Sequence, residues 1–291
     1  MRKLFHNKRS LRSARKIGLG RDDRGKPSLL ILILFIFVAR PVFAFTPNDS
    51  LFSKQWYLPK MGVTTAWDQT TGSSEVIVAV LDTGFDMDHP DLAVNVWINA
   101  GEVEGDGLDN DFNGFIDDFH GYDFVGDDGD PRPDKDQPID PGAAAHGTII
   151  AGIIGAVGNN SQGIAGINWK VRMMNVRILD NQGTGDSIHA RKAIEYAVKN
   201  GADVINLSFT GFQIDPLFKE TLRAAFETGV VVVAAVGNTE DGGINVDNKP
   251  IYPACLGENE TEDWVIGVAA SDMNDVKSDF SNYGALCTDL S

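Results

Sequence analysis

The sequence predicts an α/β protein: a mostly parallel central sheet with helices on both faces. Two observations predict it. Short apolar runs rich in β-branched residues, bounded by turn residues, alternate along the chain with helical patterns, which is the order of a parallel sheet with crossover helices. Polar residues (Asp82, Ser208 and Asn238) stand where those runs end, and ligands in such sheets sit at the carboxyl ends of the strands. Of the 291 residues, 43% are hydrophobic and 23% charged, the proportions of a chain that buries a core rather than of a disordered one.

The elements follow in order. Residues 76–81 (VIVAVL) read as a buried strand ending in the turn Asp82-Thr83-Gly84. Residues 148–157 are apolar with small side chains and read as a buried helix, with His146 at its start. A strand is expected over 171–179. Residues 187–200 carry Ala190, Ile194, Ala197 and Val198 on one face and Gly201 beyond the end, an amphipathic helix. Residues 203–208 are a strand. The next helix, 216–228, has Asp215 as its N-cap, Pro216 at its first position and Gly229 after its end. Strands over 230–236 and 264–270 complete the sheet.

Residues 1–44 stand apart. They carry eleven Lys/Arg and two Asp, although the whole chain has a net charge of −16. Residues 29–38 (LLILILFIFV) are an unbroken apolar run of ten, which as a helix spans about 15 Å, half the hydrocarbon core of a bilayer. Val42-Phe43-Ala44 then offers small residues at a cleavage site. Together these read as a secretory signal peptide, the alternative being an anchor that is never cut. The domain proper is then 45–291. Its strong acidity argues against nucleic acid or an anionic membrane as partner. Export permits a disulfide, for which Cys255 and Cys287 are the two candidates; two buried thiols are the alternative. Residues 102–140 form an insertion with fourteen acidic residues against Arg132 and Lys135.

Three segments carry chemistry. Asp82 ends a buried strand, where a carboxylate needs hydrogen bonds or a cationic partner. His146-Gly147-Thr148 supplies a partner. Asn238 follows Ala234-Ala235-Val236-Gly237 at the end of a central strand. Asp-Thr-Gly followed by His89-Pro90-Asp91-Leu92, then His-Gly-Thr-x-x-Ala-Gly, then Ala-Ala-x-Gly-Asn, in that order, resemble the subtilisin-like serine proteases over about 45–291, most closely their thermitase-like members. The resemblance implies that Asp82 orients His146, that His146 is the general base, and that Asn238 donates to an oxyanion. It further implies that substrate pairs on one side with Ser208, Phe209, Thr210 and Gly211, with Ala235 nearby, and on the other with 179–185, where Leu179, Gly183 and Gly185 resemble the outer substrate strand. Thr210 departs from the family's usual glycine there and narrows the pocket. The family's nucleophile lies in a Gly-Thr-Ser-x-Ala segment, which these residues do not contain. The expectation is therefore that the serine lies beyond Ser291 and that residues 1–291 alone are inactive. Asp82 and His146 are also 64 positions apart, about twice the spacing in subtilisin; the acidic insertion accounts for the excess.

Calcium is expected at two places. Asp109, Asp111, Asn113 and Asp117 place oxygen ligands at alternate positions with Gly114 at the turn, like the start of an EF-hand loop, although His120 stands where its last Glu would be. The alternative is a solvated acidic loop. The resemblance implies a second site, in which Asp49, Asp91, Asn160 and Gln162 give side-chain oxygens and Val157 and Ile164 give backbone carbonyls. The expected function is a secreted, calcium-stabilised, monomeric endopeptidase acting on proteins or peptides. A non-catalytic, calcium-dependent peptide-binding relative is the alternative.

Overall fold

The computed structural model describes residues 45–135, 140–213, 215–257 and 263–291. The expected signal peptide at 1–44 and residues 136–139 of the insertion lie outside the described residues. Among these, no helix is long and apolar enough to cross a membrane.

Six strands form one sheet: β1 (Gly72–Asp82), β2 (Gly121–Asp123), β3 (Lys170–Arg177), β4 (Val204–Leu207), β5 (Val231–Ala235) and β6 (Val265–Val268). Their order is β2-β3-β1-β4-β5-β6, and every neighbouring pair is parallel. The helices are α1 (Tyr57–Lys60), α2 (Val63–Ala66), α3 (Pro141–Gly155), α4 (Ser187–Lys199) and α5 (Pro216–Glu227). The expected parallel α/β architecture holds. Strand β2 and the single-turn helices α1 and α2 were not expected, because three or four residues are too short to display a hydrophobic period.

Side chains alternate across β1. Ile77, Ala79 and Leu81 enter the larger core with α4 and α5, while Val78 and Val80 pack with Ala151 of α3 and Met173 of β3 on the other face. This alternation follows from the two-residue period of a strand, and it is why β1 reads as a continuous apolar run. The second face is less covered further along. Asn206 of β4, Val233 and Ala235 of β5, and Ile266 and Val268 of β6 are half-buried, whereas their neighbours Leu207, Val232, Ala234 and Val265 are buried on the helix-covered face.

Helix α3 corrects one expectation. It begins at Pro141, seven residues before the expected start, so His146 lies in its second turn rather than at its N-terminus. The cause is local. The Asp140 side chain accepts the Gly142 and Ala143 N–H groups at 2.8 and 3.1 Å, and Pro141 takes the first helical position. The Pro-Gly-Ala-Ala-Ala stretch has no apolar stripe to announce a helix, but it has a cap.

The strand ends are in register. Asp82 lies beside Arg177 of β3, Leu81 beside Leu207 of β4, and Leu207 beside Ala234 of β5. The chain crosses from β3 to β4 past β1, which creates a crevice at the ends of β1 and β4.

Cys255 and Cys287 form a disulfide across 32 residues, packed with Val246 and Ile251. Closing a loop of that length stabilises by about 3–4 kcal/mol in the chain-entropy account. A double Cys255→Ala/Cys287→Ala variant is therefore expected to unfold in urea with a loss of about 2–4 kcal/mol; an unchanged midpoint contradicts a structural role for the bridge.

Candidate active site

Asp82 is fully buried at the end of β1. Its Oδ1 accepts the Thr83 N–H at 2.7 Å, and its two oxygens accept the Nδ1–H of His146 at 2.8 and 2.9 Å. The His146 side chain remains 42% exposed while that of Asp82 is 0% exposed. The histidine thus has one nitrogen held by a buried carboxylate and the opposite edge of its ring facing the open side. The hydrogen bond from His146 to Asp82 raises the imidazole pKa above its usual value, burial opposes it, and the Asp82 charge adds to the rise.

The approach of α3 to β1 depends on glycine. A Cβ on Gly147 would stand 2.2 Å from the Gly84 carbonyl oxygen and 3.3 Å from Asp82 Cβ. Only a residue without a side chain lets the helix come close enough for His146 to reach Asp82. Thr83 fastens the same contact: its hydroxyl donates to the Ala143 carbonyl at 2.9 Å and accepts the Gly147 N–H at 3.2 Å. Buried Asn175 of β3 holds the turn after Asp82 from the other side, accepting the Phe85 N–H at 3.1 Å and donating to the Phe85 carbonyl at 3.0 Å. Sequence reasoning assigned no role to Thr83 or Asn175. The hydroxyl directly after a strand-end aspartate was a usable signal; Asn175 had none.

His146 opens onto a cleft of ≈ 970 Å³. Of the residues expected to bind substrate, Leu179, Gly183 and Gly185 line one part of it, and Ser208, Phe209, Thr210 and Gly211 another. Tyr252 and Pro253 add to the lining; Tyr252 pairs with Gly211 through reciprocal backbone hydrogen bonds of 2.8 and 2.9 Å. Ala235 and Asn238 are not among the lining residues. Ala235 is half-buried at the end of β5, and Asn238 is exposed three residues on. Their loop abuts the cleft through Gly237, where a Cβ would stand 3.0 Å from Thr210 Cγ2.

The expected metal ligands divide. In the acidic insertion, Glu102, Asp109 and Asp111 bring carboxylate oxygens within 4.8 Å of one another. Glu102 was not foreseen, since it lies seven residues outside the alternating pattern. One Glu102 oxygen accepts the Asn110 and Asp111 N–H groups at 2.8 and 3.1 Å. The other, and Asp117 Oδ1, are buried without a hydrogen-bond partner among the described residues. An orphaned buried Glu102 oxygen beside the Asp109 and Asp111 carboxylates fits a hard cation, whereas Asp117, expected as a ligand, is not part of that cluster. Asp117 uses its other oxygen on the Gly107 N–H at 2.9 Å, and Asn113 donates to Asp111 at 3.2 Å and Asp118 at 3.0 Å. Asp118 is fully buried and accepts the Tyr196 hydroxyl at 2.7 Å; burial raises the pKa of both groups.

At the second expected site, Asp49 and Asp91 are buried and both are engaged by the 159–164 loop. Asp49 accepts the Asn159 N–H at 2.7 Å; Asp91 accepts the Asn160 side-chain amide at 2.8 Å and the Ile164 N–H at 3.1 Å. The Val157 N–H donates to the Asp91 carbonyl at 2.8 Å. Gln162 is exposed. Asp49, Asp91 and Asn160 are thus drawn to one loop, where N–H groups of that loop bond to both carboxylates and Asn160 Oδ1 accepts the Gln162 N–H at 2.9 Å.

Comparison with known proteins gives a consistent picture. Residues 73–291 match the Subtilase family. The chain is 37% identical over 243 residues to thermitase of Thermoactinomyces vulgaris, covering 83% of this chain and 71% of that protein. It is 38% identical to the thermophilic serine proteinase of Bacillus sp. (strain AK1), covering 83% of this chain but 50% of that one. Among solved structures, a protease from Pseudoalteromonas arctica PAMC 21717 superposes with a TM-score of 0.65 at 28% identity, over 85% of this chain and 72% of that one.

A raised imidazole pKa has a defined consequence. The His146–Asp82 ion pair contributes stability that is complete below the ordinary histidine pKa and is lost as pH rises through the raised one. An NMR titration is expected to place His146 above about 6.5 and to bring it down in an Asp82→Asn variant. The same value in both proteins contradicts the pairing.

Proposed function

This chain belongs to the Subtilase family, and on that premise we propose that it serves in a secreted, calcium-stabilised serine endopeptidase, monomeric in its mature form. The observation that carries the reading is the His146–Asp82 pair, with its carboxylate fully buried and its imidazole edge open to a substrate-sized cleft.

The chemistry follows from that arrangement. An extended peptide lies between the 179–185 segment and Ser208–Gly211, its backbone pairing with both as an added strand. With Asp82 holding Nδ1–H, the other ring nitrogen, Nε2, is the base. A serine hydroxyl supplied by a segment outside residues 1–291 loses its proton to Nε2 as its oxygen attacks the scissile carbonyl carbon. The Asn238 amide donates to the oxygen on which negative charge develops. His146 then returns the proton to the departing amine, leaving an acyl-enzyme that water hydrolyses by the same steps. The half-buried apolar residues of β5 and β6 support such a segment, since both faces of a parallel sheet require cover.

Calcium, when bound, neutralises carboxylates that would otherwise repel. Glu102, Asp109 and Asp111 would hold one ion, with Asp117 and Asn113 beside them; Asp49, Asp91, Asn160 and Gln162, with the Val157 and Ile164 carbonyls, would hold another. The second ties the start of the domain to its core. Export is supported by the basic and apolar N-terminal segment and by the Cys255–Cys287 bridge.

In protein made from the whole reading frame, His146→Ala and Asp82→Asn are expected to lower kcat on a peptide substrate by about 10⁴, and Asn238→Ala by about 10²–10³. Undiminished hydrolysis in the histidine variant contradicts the assignment. Calcium at 100 times its Kd is expected to stabilise by about 2.7 kcal/mol per site, read as a rise in Tm. Glu102→Gln is expected to remove part of that rise; a Tm indifferent to both calcium and chelator contradicts the metal sites.

A further inference from the structure

Asn238 is exposed and stands in a loop after β5, so what fixes its position must come from the loops around it. Residues 278–284 form that support. Asn238 is bridged to Ser281. The Thr239 N–H donates to the Phe280 carbonyl at 2.8 Å, and the Asn282 N–H to the Gly237 carbonyl at 3.0 Å. The Asn282 side chain, fully buried, donates to the Val236 carbonyl at 3.0 Å and accepts the Ile244 N–H at 2.9 Å. Buried Ser281 accepts the Ala270 N–H and donates to the Asn282 carbonyl, both at 2.9 Å.

A charge sits at the join between the two loops. The Lys277 ammonium donates to three backbone carbonyls: Gly242 at 3.0 Å, Ser278 at 2.9 Å and Ser281 at 3.0 Å. An ammonium has three N–H donors and no acceptor, so each finds a carbonyl. Charge-assisted bonds of this kind are about twice as strong as neutral ones. Gly242 lies on the Asn238 side and Ser278 and Ser281 on the supporting side, so one cation spans both loops. The Tyr283 ring lies 5.5 Å beneath it.

We propose that Lys277 is a positioning residue for the oxyanion donor: its ammonium clamps the Gly242 and Ser281 carbonyls and so sets where the Asn238 amide points. The role rests on the reading of Asn238 given above. Without the ammonium, three carbonyls that share one cation turn to water separately, and the loop that carries Asn238 loses the charged one of its ties to the 278–284 segment, which leaves the Asn238–Ser281 bridge and its neighbouring backbone bonds less firmly held. The stem of a methionine fills the same space but donates nothing.

Two measurements decide it, one of which needs no activity. In the 291-residue chain, amide hydrogen exchange at Thr239, Ile244 and Asn282 is expected to rise about tenfold or more in Lys277→Met, with exchange at Gly147 unchanged and Lys277→Arg between the two. Exchange unaltered at those three amides overturns the clamp. In protein from the whole reading frame, Lys277→Met is expected to lower kcat by about 10- to 100-fold with KM unchanged. That loss should disappear in an Asn238→Ala background. A loss that persists there, or one that appears in KM, overturns the link to Asn238. If Asn238→Ala itself leaves kcat unaltered, the oxyanion reading fails and this role falls with it; raised exchange would then show that the clamp itself was correctly placed.

Discussion

The whole site depends on one buried carboxylate. Asp82 is at 0% exposure at the end of a central strand, where an unpaired charge would be severely destabilising. The fold answers with the Thr83 N–H and the His146 imidazole. Everything nearby serves that contact. Gly147 lets α3 approach, Thr83 ties the helix to the turn, Asp140 starts the helix early enough to place His146 in its second turn, and Asn175 fixes the chain after the aspartate. The pair is a structural necessity, and its hydrogen bond raises the imidazole pKa.

The acidic insertion is anchored to the same framework by buried polar contacts. Asp123 of β2 pairs with Arg177, which lies beside Asp82 in the sheet and also donates to Asn181. Asn181 in turn accepts the Asp140 N–H, at the N-cap of the helix that carries His146. Asp118 pairs with Tyr196 of α4. Breaking one partner of such a buried ion pair costs about 3–5 kcal/mol, because the other charge is left uncompensated. The insertion is therefore tied to the core at Asp118 and Asp123.

Much of this was legible in the sequence, for identifiable reasons. The second half of β1 announced itself because a strand segment buried on both faces is apolar throughout, whereas its more exposed start at 72–75 carries no such run. α4 was marked by its apolar face and the Gly201 beyond it, and α5 by Asp215, Pro216 and Gly229, whose capping chemistry is local; the Asp186 cap of α4 went unread. Asp82, His146 and Asn238 stood at strand ends or beside them, where parallel sheets place polar groups. What escaped notice lacked a period or acted at a distance. β2 is three residues long. The start of α3 was hidden by a run of small residues. Glu102 meets Asp109 and Asp111 only after the chain has turned, and one of the three carbonyls that Lys277 holds, that of Gly242, lies thirty-five residues away. No local pattern encodes such contacts.

The central claim is that His146, held by Asp82, activates a serine. The most direct test is labelling with a fluorophosphonate, which reacts with an activated serine, on protein made from the whole reading frame, followed by mass spectrometry of the modified peptide. The account predicts a single labelled serine, in a Gly-Thr-Ser-x-Ala segment outside residues 1–291, with labelling abolished in His146→Ala. Absence of label, or label that survives loss of His146, would contradict it.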